Sequence, residues 1–202
     1  MTLRLDHLAV SALTLDEGAE HVEAVLGLPL AAGGKHPHMA THNRLLGLGD
    51  LYLEVIAADP EAPKPAWPRW FDLDRFSGLP RLTNWICACD DLELALSAAP
   101  DGTGEPVDLQ RGDLRWRMAV PGNGILPFGG GFPALIQWQG AHPAPRLPDV
   151  GARLKILEIV NPAADEMRHF LNLKDERVRI VQGDAIALRA EITTPHGVRV
   201  LE

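Results

Sequence analysis

The sequence contains the same order of predicted elements twice, and this repetition constrains the fold more than any other feature. In the first copy a strand is followed by a helix and three further strands, at residues 3–11, 14–27, 29–39, 41–47 and 50–57. Thr14 is placed to cap the helix, Glu17 to complete a capping box, and Gly27 to end it. The first copy therefore predicts a β-α-β-β-β module over residues 1–58.

The second copy follows a segment rich in proline and aromatic residues. Its elements are predicted at residues 82–90, 91–99, 104–110, 114–121 and 132–140. The chain up to residue 140 is thus predicted to comprise module one (1–58), a linker (59–81) and module two (82–140). This arrangement predicts an α+β fold in which two β-α-β-β-β modules enclose a cavity.

A smaller third unit is predicted at residues 153–202. It begins with a strand at 154–160, continues with a helix at 161–173, and ends with three short strands. Asn161 is predicted as the N-cap of this helix, with Pro162 at its first position. The order is again β-α-β-β-β, so we expect a C-terminal α+β appendage.

Composition excludes several classes of partner. The net charge of −8 argues against nucleic acid, because phosphate binding needs clustered Lys and Arg. No apolar run approaches the roughly 18 residues that a membrane span needs. Without the pattern of a signal peptide, and with Cys87 and Cys89 expected as reduced buried thiols, we expect a cytoplasmic protein.

Four separated stretches carry a resemblance to a known superfamily: LDHLAV (5–10), HPHMATHNRLL (36–46), YLEVI (52–56) and LPFGGGFPALIQW (126–138). In order and spacing they resemble the vicinal-oxygen-chelate superfamily, and more narrowly its glyoxalase-like branch. Relatives in this superfamily include glyoxalase I, extradiol dioxygenases and bleomycin-resistance proteins. The resemblance covers about residues 1–140 and implies a small-molecule ligand bound between the modules.

The resemblance also implies where ligands to a metal would lie, on the first and last strands of each module. Matching the motifs places His7 and Glu54 at these positions in module one. In module two the matched residues are Asn84 and Gln137. A divalent metal ion is the implied cofactor, yet neutral amides are weak ligands for such an ion. The strong ligands would be His7 and Glu54, unless one of the nearby histidines 36, 38 or 42 joined them.

Strand parity gives an independent reason to single out the same pair. If His7 and Glu54 face the cavity, Leu8 and Val10 on the first strand and Leu53 and Val55 on the fourth face the helices. A carboxylate buried in an apolar strand is costly without a partner or a function. We therefore predict His7 and Glu54 as catalytic residues, with Glu54 as a general base. Trp85 and Trp138 are expected on the opposite faces, in the core.

Further residues are predicted to contact the substrate. Asn43, His42 and His38 lie in the stretch that resembles the family, although a solvated loop would explain the histidines equally well. Asn84 and Gln137 are expected as polar positioners. Arg117, which shares a strand face with Arg115, could bind a substrate carboxylate or simply face solvent. Trp67 and Trp70 could cap the pocket or pack on the body of the protein.

Two functions remain open at this level. The first is an enzyme, a metal-assisted lyase, isomerase or dioxygenase that acts on a small oxygenated, carboxylate-bearing substrate. The second is a non-catalytic protein that sequesters a small molecule, as bleomycin-resistance relatives do. We also expect a homodimer, formed by the edge strands of the C-terminal unit.

Overall fold

In the computed structural model, which describes residues 2–202, module one forms as its turn and capping residues predict. Its elements are β1 (Arg4–Ser11), α1 (Leu15–Leu26), β2 (Ala31–His36), β3 (Thr41–Gly47) and β4 (Tyr52–Ala58). The Thr14 side chain accepts a hydrogen bond from the backbone N–H of Glu17 at 3.3 Å. Gly27 ends α1 in the left-handed conformation, with φ of 69°.

Module two repeats the order with β5 (Arg81–Ala88), α2 (Leu92–Ala98), β6 (Glu105–Arg111), β7 (Leu114–Val120) and β8 (Ala134–Trp138). In each module the last strand pairs in parallel with the first. Antiparallel pairing of β1 with β5 joins the modules into one eight-stranded sheet of order β2-β3-β4-β1-β5-β8-β7-β6. The predicted α+β architecture of paired β-α-β-β-β modules is confirmed.

The eight-stranded sheet is curled, so that its two faces have different environments. One face packs on the helices through a large apolar core that includes Trp85, whose indole N–H donates to Gly131 O at 2.9 Å. The other face is concave. Its curvature brings the two edge strands together, so that Arg111 at the end of β6 donates to His36 Nε2 at the end of β2 at 3.3 Å. Side chains on the concave face are therefore enclosed by both ends of the sheet.

The third unit has the predicted order of elements but a different strand arrangement. It consists of β9 (Arg153–Asn161), α3 (Ala164–His169), β10 (Val178–Gln182), β11 (Ala187–Thr194) and β12 (Gly197–Leu201). The strands form a separate four-stranded sheet of order β10-β9-β11-β12. In this sheet β9 pairs with the strand that directly follows the helix, whereas β1 and β5 pair with the last strand of their modules.

The helix of the third unit is shorter than the predicted range of 161–173, which is therefore wrong in length. Asn161 caps the preceding turn, not the helix, since its Oδ1 accepts from Ala163 N at 2.9 Å. Beyond α3 the chain leaves helical geometry because Leu3 N donates to Asn172 O at 2.9 Å and Leu3 bridges Leu173. This pairing ties the C-terminal unit to the start of β1.

The linker folds over the concave face of the sheet and contains a single 3-10 turn at Trp70–Asp72. Arg69 anchors it, donating to Ala40 O at 3.1 Å and contacting Asp74 at 2.6 Å. Trp70 and Phe71 are buried against the sheet. No helix within residues 2–202 is long and apolar enough to cross a membrane. The division into domains at residues 140 and 153 stays a prediction.

Candidate functional site

A β-bulge in β1 allows two consecutive polar side chains, Asp6 and His7, to meet at the concave face. The pairing of β1 with β5 shifts register between Leu5 and His7. Asp6 Oδ1 accepts from His7 Nδ1 at 2.6 Å. Its Oδ2 accepts from Trp138 Nε1 at 2.9 Å and from His142 Nε2 at 3.1 Å. The Asp6 carboxylate is thus fully engaged in holding its neighbours.

The charge state of Asp6 follows from these contacts. Burial by itself would raise the pKa of Asp6, but the hydrogen bonds from His142 and His7 outweigh burial and lower it. Asp6 is therefore ionised at neutral pH and keeps a hydrogen on His7 Nδ1. His7 Nε2 then points towards Glu54, 3.7 Å from Oε2, while the His7 ring stacks on Tyr52 with centroids 4.3 Å apart.

Glu54 on β4 is held from the other side by Asn43 on β3. The orientation of the Asn43 side chain follows from its partners, because its Oδ1 accepts from Gly34 N at 2.8 Å and from Arg111 Nη1 at 2.8 Å. Its Nδ2 is consequently left to donate to Glu54 Oε1. Asn43 therefore links the buried carboxylate to a guanidinium without a direct ion pair between them.

His36 at the end of β2 completes the polar wall of the cavity. Burial, and then the positive charge of Arg111, lower the pKa of His36 to about 3, so its imidazole is neutral at pH 7. Its Nε2 lies 3.3 Å from Arg111 Nη1 and accepts from it. Its Nδ1 therefore carries the hydrogen and donates to Thr41 Oγ1 at 3.1 Å. Trp70 packs edge-on against the ring, with centroids 5.1 Å apart.

These groups surround a small cavity. Its lining residues are His7, His36, Asn43, Tyr52, Glu54, Trp70, Phe71, Arg111, Trp116, Met118, Ile136 and Trp138. The free volume is only ≈ 30 Å³, about the space of one water molecule. One wall consists of Trp70 and Phe71 from the linker. The cavity thus combines an acid–base pair, a cation and aromatic walls within a single enclosure.

The structure brings together three of the residues predicted as catalytic or substrate-binding, His7, Glu54 and Asn43. Asn84 also lies on the concave face but belongs to a different depression. Register explains the separation, since Glu54 and Asn84 are both paired with Ala9, on opposite sides of β1. Two strand spacings, about 10 Å, therefore lie between the Glu54 and Asn84 backbones.

Gln137 and Trp138 have exchanged the faces expected for them. Gln137 points to α2, where its side chain accepts from Leu92 N at 3.2 Å and donates to Asp90 O at 2.8 Å. Trp138 lies in the cavity. The motif match placed Gln137 opposite Glu54, but strand register assigns that position to Ala134. Ala9 pairs with Glu54, and its counterpart Ile86 pairs with Ala134.

The other two histidines of the 36–42 stretch, His38 and His42, do not line the cavity. His38 is exposed and stacks on Trp67, with ring centroids 4.5 Å apart. His42 is on the opposite face of β3 from Asn43. Of the two tryptophans in the linker, Trp70 caps the cavity, whereas Trp67 stays 45% exposed.

The arginine in the cavity is Arg111, not Arg117. Arg117 forms ion pairs with Glu93 at 2.6 Å and with Asp108 at 3.2 Å, away from the concave face. Arg115 is exposed and donates to Gln110. Arg111 was not predicted as a site residue because it precedes a Gly-Asp turn, where an arginine is expected to face solvent. Only the curvature of the sheet brings it to Asn43.

Asp6 and His142 were also missed, for separate reasons. Alternation along β1 assigns Asp6 to the face opposite His7, and only the bulge overturns that assignment. His142 lies in the second linker, between the two sheets. The one available signal was the Asp-His pair itself, since two adjacent polar residues inside an apolar strand break its alternation.

The side chains present do not fit a divalent metal. Within residues 2–202 no three His, Cys, Asp or Glu side chains are grouped so as to hold an ion. The fourth expected ligand position is Ala134, which has no donor atom, and Asn84 is remote. Arg111 also places a positive charge beside His36 and Asn43, where a second cation would be repelled. The chemistry proposed below accordingly involves no metal.

Comparison with known proteins gives a family and a fold. The family model described as Glyoxalase-like domain matches residues 5–174. No curated protein matches the chain. A crystal structure of a hypothetical protein from Staphylococcus aureus is similar with a TM-score of 0.63 at 14% identity, over 92% of this chain and 88% of that chain.

Two further solved structures are similar at low identity. One is a xylose isomerase-like TIM barrel/4-hydroxyphenylpyruvate dioxygenase fusion protein, with a TM-score of 0.52 and 17% identity over 90% of this chain and 32% of the fusion. The other is methylmalonyl-CoA epimerase from Mycobacterium tuberculosis, with a TM-score of 0.44 and 18% identity over 68% of this chain and 87% of the epimerase.

Proposed function

The chain belongs to the Glyoxalase-like domain family, as its sequence predicts, and we propose that it is an enzyme that moves a proton within a small carboxylate-bearing molecule. The reaction class is an isomerisation or a lyase reaction that begins next to a carbonyl. Glu54 is the base, His7 is its acid–base partner, and Arg111 binds the carboxylate. In this proposal Arg111 takes the anion-binding role expected of Arg117.

The observation that carries the proposal is the position of Glu54 Oε2, 3.7 Å from His7 Nε2 and in the same cavity as Arg111. Glu54 and His7 are 5% and 4% exposed, so neither is a solvated surface group. A buried carboxylate and an imidazole held by a second carboxylate are groups suited to exchange protons with a bound molecule.

The chemical step is a proton transfer from carbon to oxygen. Glu54 Oε2 takes the proton from the carbon next to a carbonyl, and the C–H electron pair becomes part of an enolate. His7 Nε2 is placed to exchange a proton at the enolate oxygen. The proton held by Glu54 then returns to carbon at another position or face, or the enolate expels a leaving group. Return of the proton to carbon is an isomerisation, and expulsion of the leaving group is a lyase reaction.

Arg111 supports a carboxylate-bearing substrate because its own partners are neutral. It contacts Asn43 and the neutral imidazole of His36, and it forms no ion pair with any carboxylate of residues 2–202. A guanidinium with spare N–H donors in a nearly dry site favours a planar carboxylate. The same charge would stabilise an enolate formed beside it.

The size of the cavity limits the substrate and requires a motion. With ≈ 30 Å³ free, the closed state holds no organic acid. The Trp70–Asp72 turn is the segment that would have to move, because it forms one wall. It is held in a costly conformation, with positive φ of 58° at Phe71 and 55° at Asp72. We therefore expect small substrates, admitted when this turn swings outward.

Solvent exchange tests the proposal without knowledge of the product. Proton NMR in D₂O would follow loss of the C3 proton signal of 2-oxobutanoate, with pyruvate as a smaller acid and 2-oxobutanamide as the neutral analogue. We expect protein-dependent exchange for an acid and at least about tenfold slower exchange for the amide. If neither acid exchanges above the rate without protein, the proton-transfer proposal fails and the sequestration alternative is favoured.

The same assay separates metal-free from metal-assisted chemistry. After dialysis against a chelator, the rate of exchange should be unchanged and the metal content should stay well below one ion per chain. Loss of exchange on chelation, with recovery on adding a divalent ion, would show that the metal-assisted version expected from the resemblance is correct.

A further inference from the structure

A second and much larger pocket lies on the other side of Phe71. Its volume is ≈ 460 Å³, within the range of sites for small organic molecules. Phe71 lines both this pocket and the catalytic cavity, so the two adjoin at this residue. The apolar part of the wall is formed by Phe71, Phe76, Leu82, Leu126, Ile186 and Leu188. We refer to it as the module-two pocket.

Asn84 lines the module-two pocket with a carboxamide that lacks a partner. The residue is 4% exposed, its Oδ1 is buried, and the side chain makes no hydrogen bond within residues 2–202. A buried polar group in this condition is unfavourable unless a ligand or water satisfies it. The hydroxyl of neighbouring Thr83 pairs with Ser11 Oγ at 2.6 Å and lies 3.5 Å from Ala9 O, not with Asn84.

The match of LTNWICA (82–88) with LDHLAVS (5–11) makes Asn84 the counterpart of His7, and the strand register is compatible with it. In the antiparallel pairing of β1 with β5, His7 lies opposite Ile86 and Ala9 lies opposite Asn84. A two-fold relation between the modules that matches Ala9 with Ile86 therefore matches His7 with Asn84. Module two therefore has a neutral carboxamide where module one has an imidazole.

The charged side chains at the rim of the pocket are two anions and two cations, Asp72, Arg75, Arg81 and Glu202, so their charges balance. Arg75 contacts Asp72 at 2.5 Å, and Arg81 donates to Ser77 O at 2.8 Å while its guanidinium lies over the Phe76 ring. The rim therefore favours a neutral ligand.

We propose that the module-two pocket binds a neutral, mostly apolar molecule that carries a hydroxyl group, with the hydroxyl held by Asn84. A hydroxyl both donates and accepts, so it suits the carboxamide in either orientation. The C-terminal unit supplies part of the wall through Ile186 and Leu188. This gives that unit a function in ligand binding. This binding proposal stands on Asn84 and the pocket, and it does not rest on the proton-transfer proposal.

Equilibrium dialysis with 2-naphthol and its methyl ether, 2-methoxynaphthalene, tests the proposal on the full chain. The two probes share the apolar body, but the ether cannot donate a hydrogen bond. We expect 2-naphthol to bind at least about threefold more tightly, as one hydrogen bond allows. Asn84→Leu should reduce this ratio to about one. Ile186→Trp, at a side chain 43% exposed, should fill the pocket and weaken both probes more than tenfold.

Two variants control for folding and for the location of the site. Leu94→Trp introduces the same indole at a side chain 53% exposed on α2 and should leave both dissociation constants unchanged. Glu54→Gln should also leave them unchanged, since it alters only the catalytic cavity. The proposal is overturned if 2-naphthol does not bind, if Ile186→Trp binds as the wild type does, or if the ratio survives Asn84→Leu.

Discussion

Asn43 holds Glu54 in place, and the backbone of Gly34 decides which way Asn43 points. The N–H of Gly34 donates to Asn43 Oδ1 at 2.8 Å, which leaves the amino group for Glu54. Gly34 is available because β2 bulges between Ala32 and Lys35. The position of the proposed base therefore depends on a backbone irregularity two strands away.

The first prediction concerns the neighbouring glycine of that bulge. A Cβ on Gly33 would lie 2.1 Å from Asn43 O and 2.3 Å from Asn43 Oδ1. Gly33→Ala should therefore displace Asn43 and release Glu54. We expect a loss of at least about 2 kcal/mol in the free energy of unfolding, measured by urea denaturation. Exchange activity should fall with it.

Gly122→Ala is the matched control, since a Cβ there meets nothing within 4 Å. It should be within about 0.5 kcal/mol of the wild type. If the Gly33 and Gly122 variants have equal free energies of unfolding, Asn43 can move aside without destabilising the protein. Asn43 would then not hold Glu54 in a fixed position.

The second prediction concerns the anion-binding group. Arg111→Met should raise the KM for a carboxylate substrate by about 10- to 100-fold, the value of a charge-assisted hydrogen bond in a buried site. Arg117→Met removes an arginine from the neighbouring strand that contacts only Glu93 and Asp108, and it should leave KM unchanged. A raised KM for Arg117→Met, with an unchanged KM for Arg111→Met, would identify Arg117 as the anion-binding residue.

The third prediction follows from the lowered pKa of Asp6. A carboxyl whose pKa is lower in the folded state contributes stability above its unfolded pKa of about 3.9 and loses it as pH falls further. Asp6→Asn should therefore cost about 1–3 kcal/mol at pH 7, because three hydrogen bonds lose their charged acceptor. The deficit should shrink below about pH 4.

Urea denaturation of the wild type and Asp6→Asn at pH 7, 4 and 3 would measure this. Asp101→Asn, at an exposed carboxylate, serves as the control for removal of charge. A deficit that stays constant across the three pH values would show that the Asp6 contacts do not depend on its charge.

The fourth prediction follows from the lowered pKa of His36, about 3 in the folded protein. Between that value and the unfolded pKa of about 6.5 the unfolded chain binds one more proton, so stability rises with pH in this window. Its slope should be up to about 1.4 kcal/mol per pH unit. His36→Gln should flatten the profile by that amount, whereas His38→Gln, at an exposed imidazole, should not. An unchanged slope in His36→Gln would contradict the burial argument.

The fifth prediction concerns assembly, and the expected homodimer stays a prediction. β12 is an edge of the four-stranded sheet and leaves Val198 47% and Val200 37% exposed. If this edge pairs with a second copy, Val200→Lys should convert the dimer to a monomer in sedimentation velocity. A wild type that sediments as a monomer at high concentration would refute it.

The sequence predicts most of the fold because the signals for it are local. Thr14 and Gly27 bound α1 as expected, and alternation located the strands of both modules. The third helix was predicted too long because Asn161 serves equally well to cap a turn. The pairing of Leu3 with Asn172, which ends the helical region, joins residues that are far apart in sequence.

The candidate site was predictable only where strand alternation holds. Parity identified Glu54 and His7 correctly as inward-facing groups, and the structure places them 3.7 Å apart. Alternation assigned Asp6 to the wrong face, because a bulge interrupts it between Leu5 and His7. It also assigned Trp138 to the wrong face, because the alignment of ALIQW with LYLEV was shifted relative to the true strand register. Arg111 depends on the closure of the curled sheet, which no short segment encodes.

The most direct test of the account is the rate at which the wild type and Glu54→Gln exchange the C3 proton of 2-oxobutanoate in D₂O. The variant keeps the shape of the side chain and its contact with Asn43, but it has no carboxylate to take the proton. The account predicts a loss of at least about 100-fold in rate, with the free energy of unfolding little changed. Exchange by Glu54→Gln at the wild-type rate would contradict it.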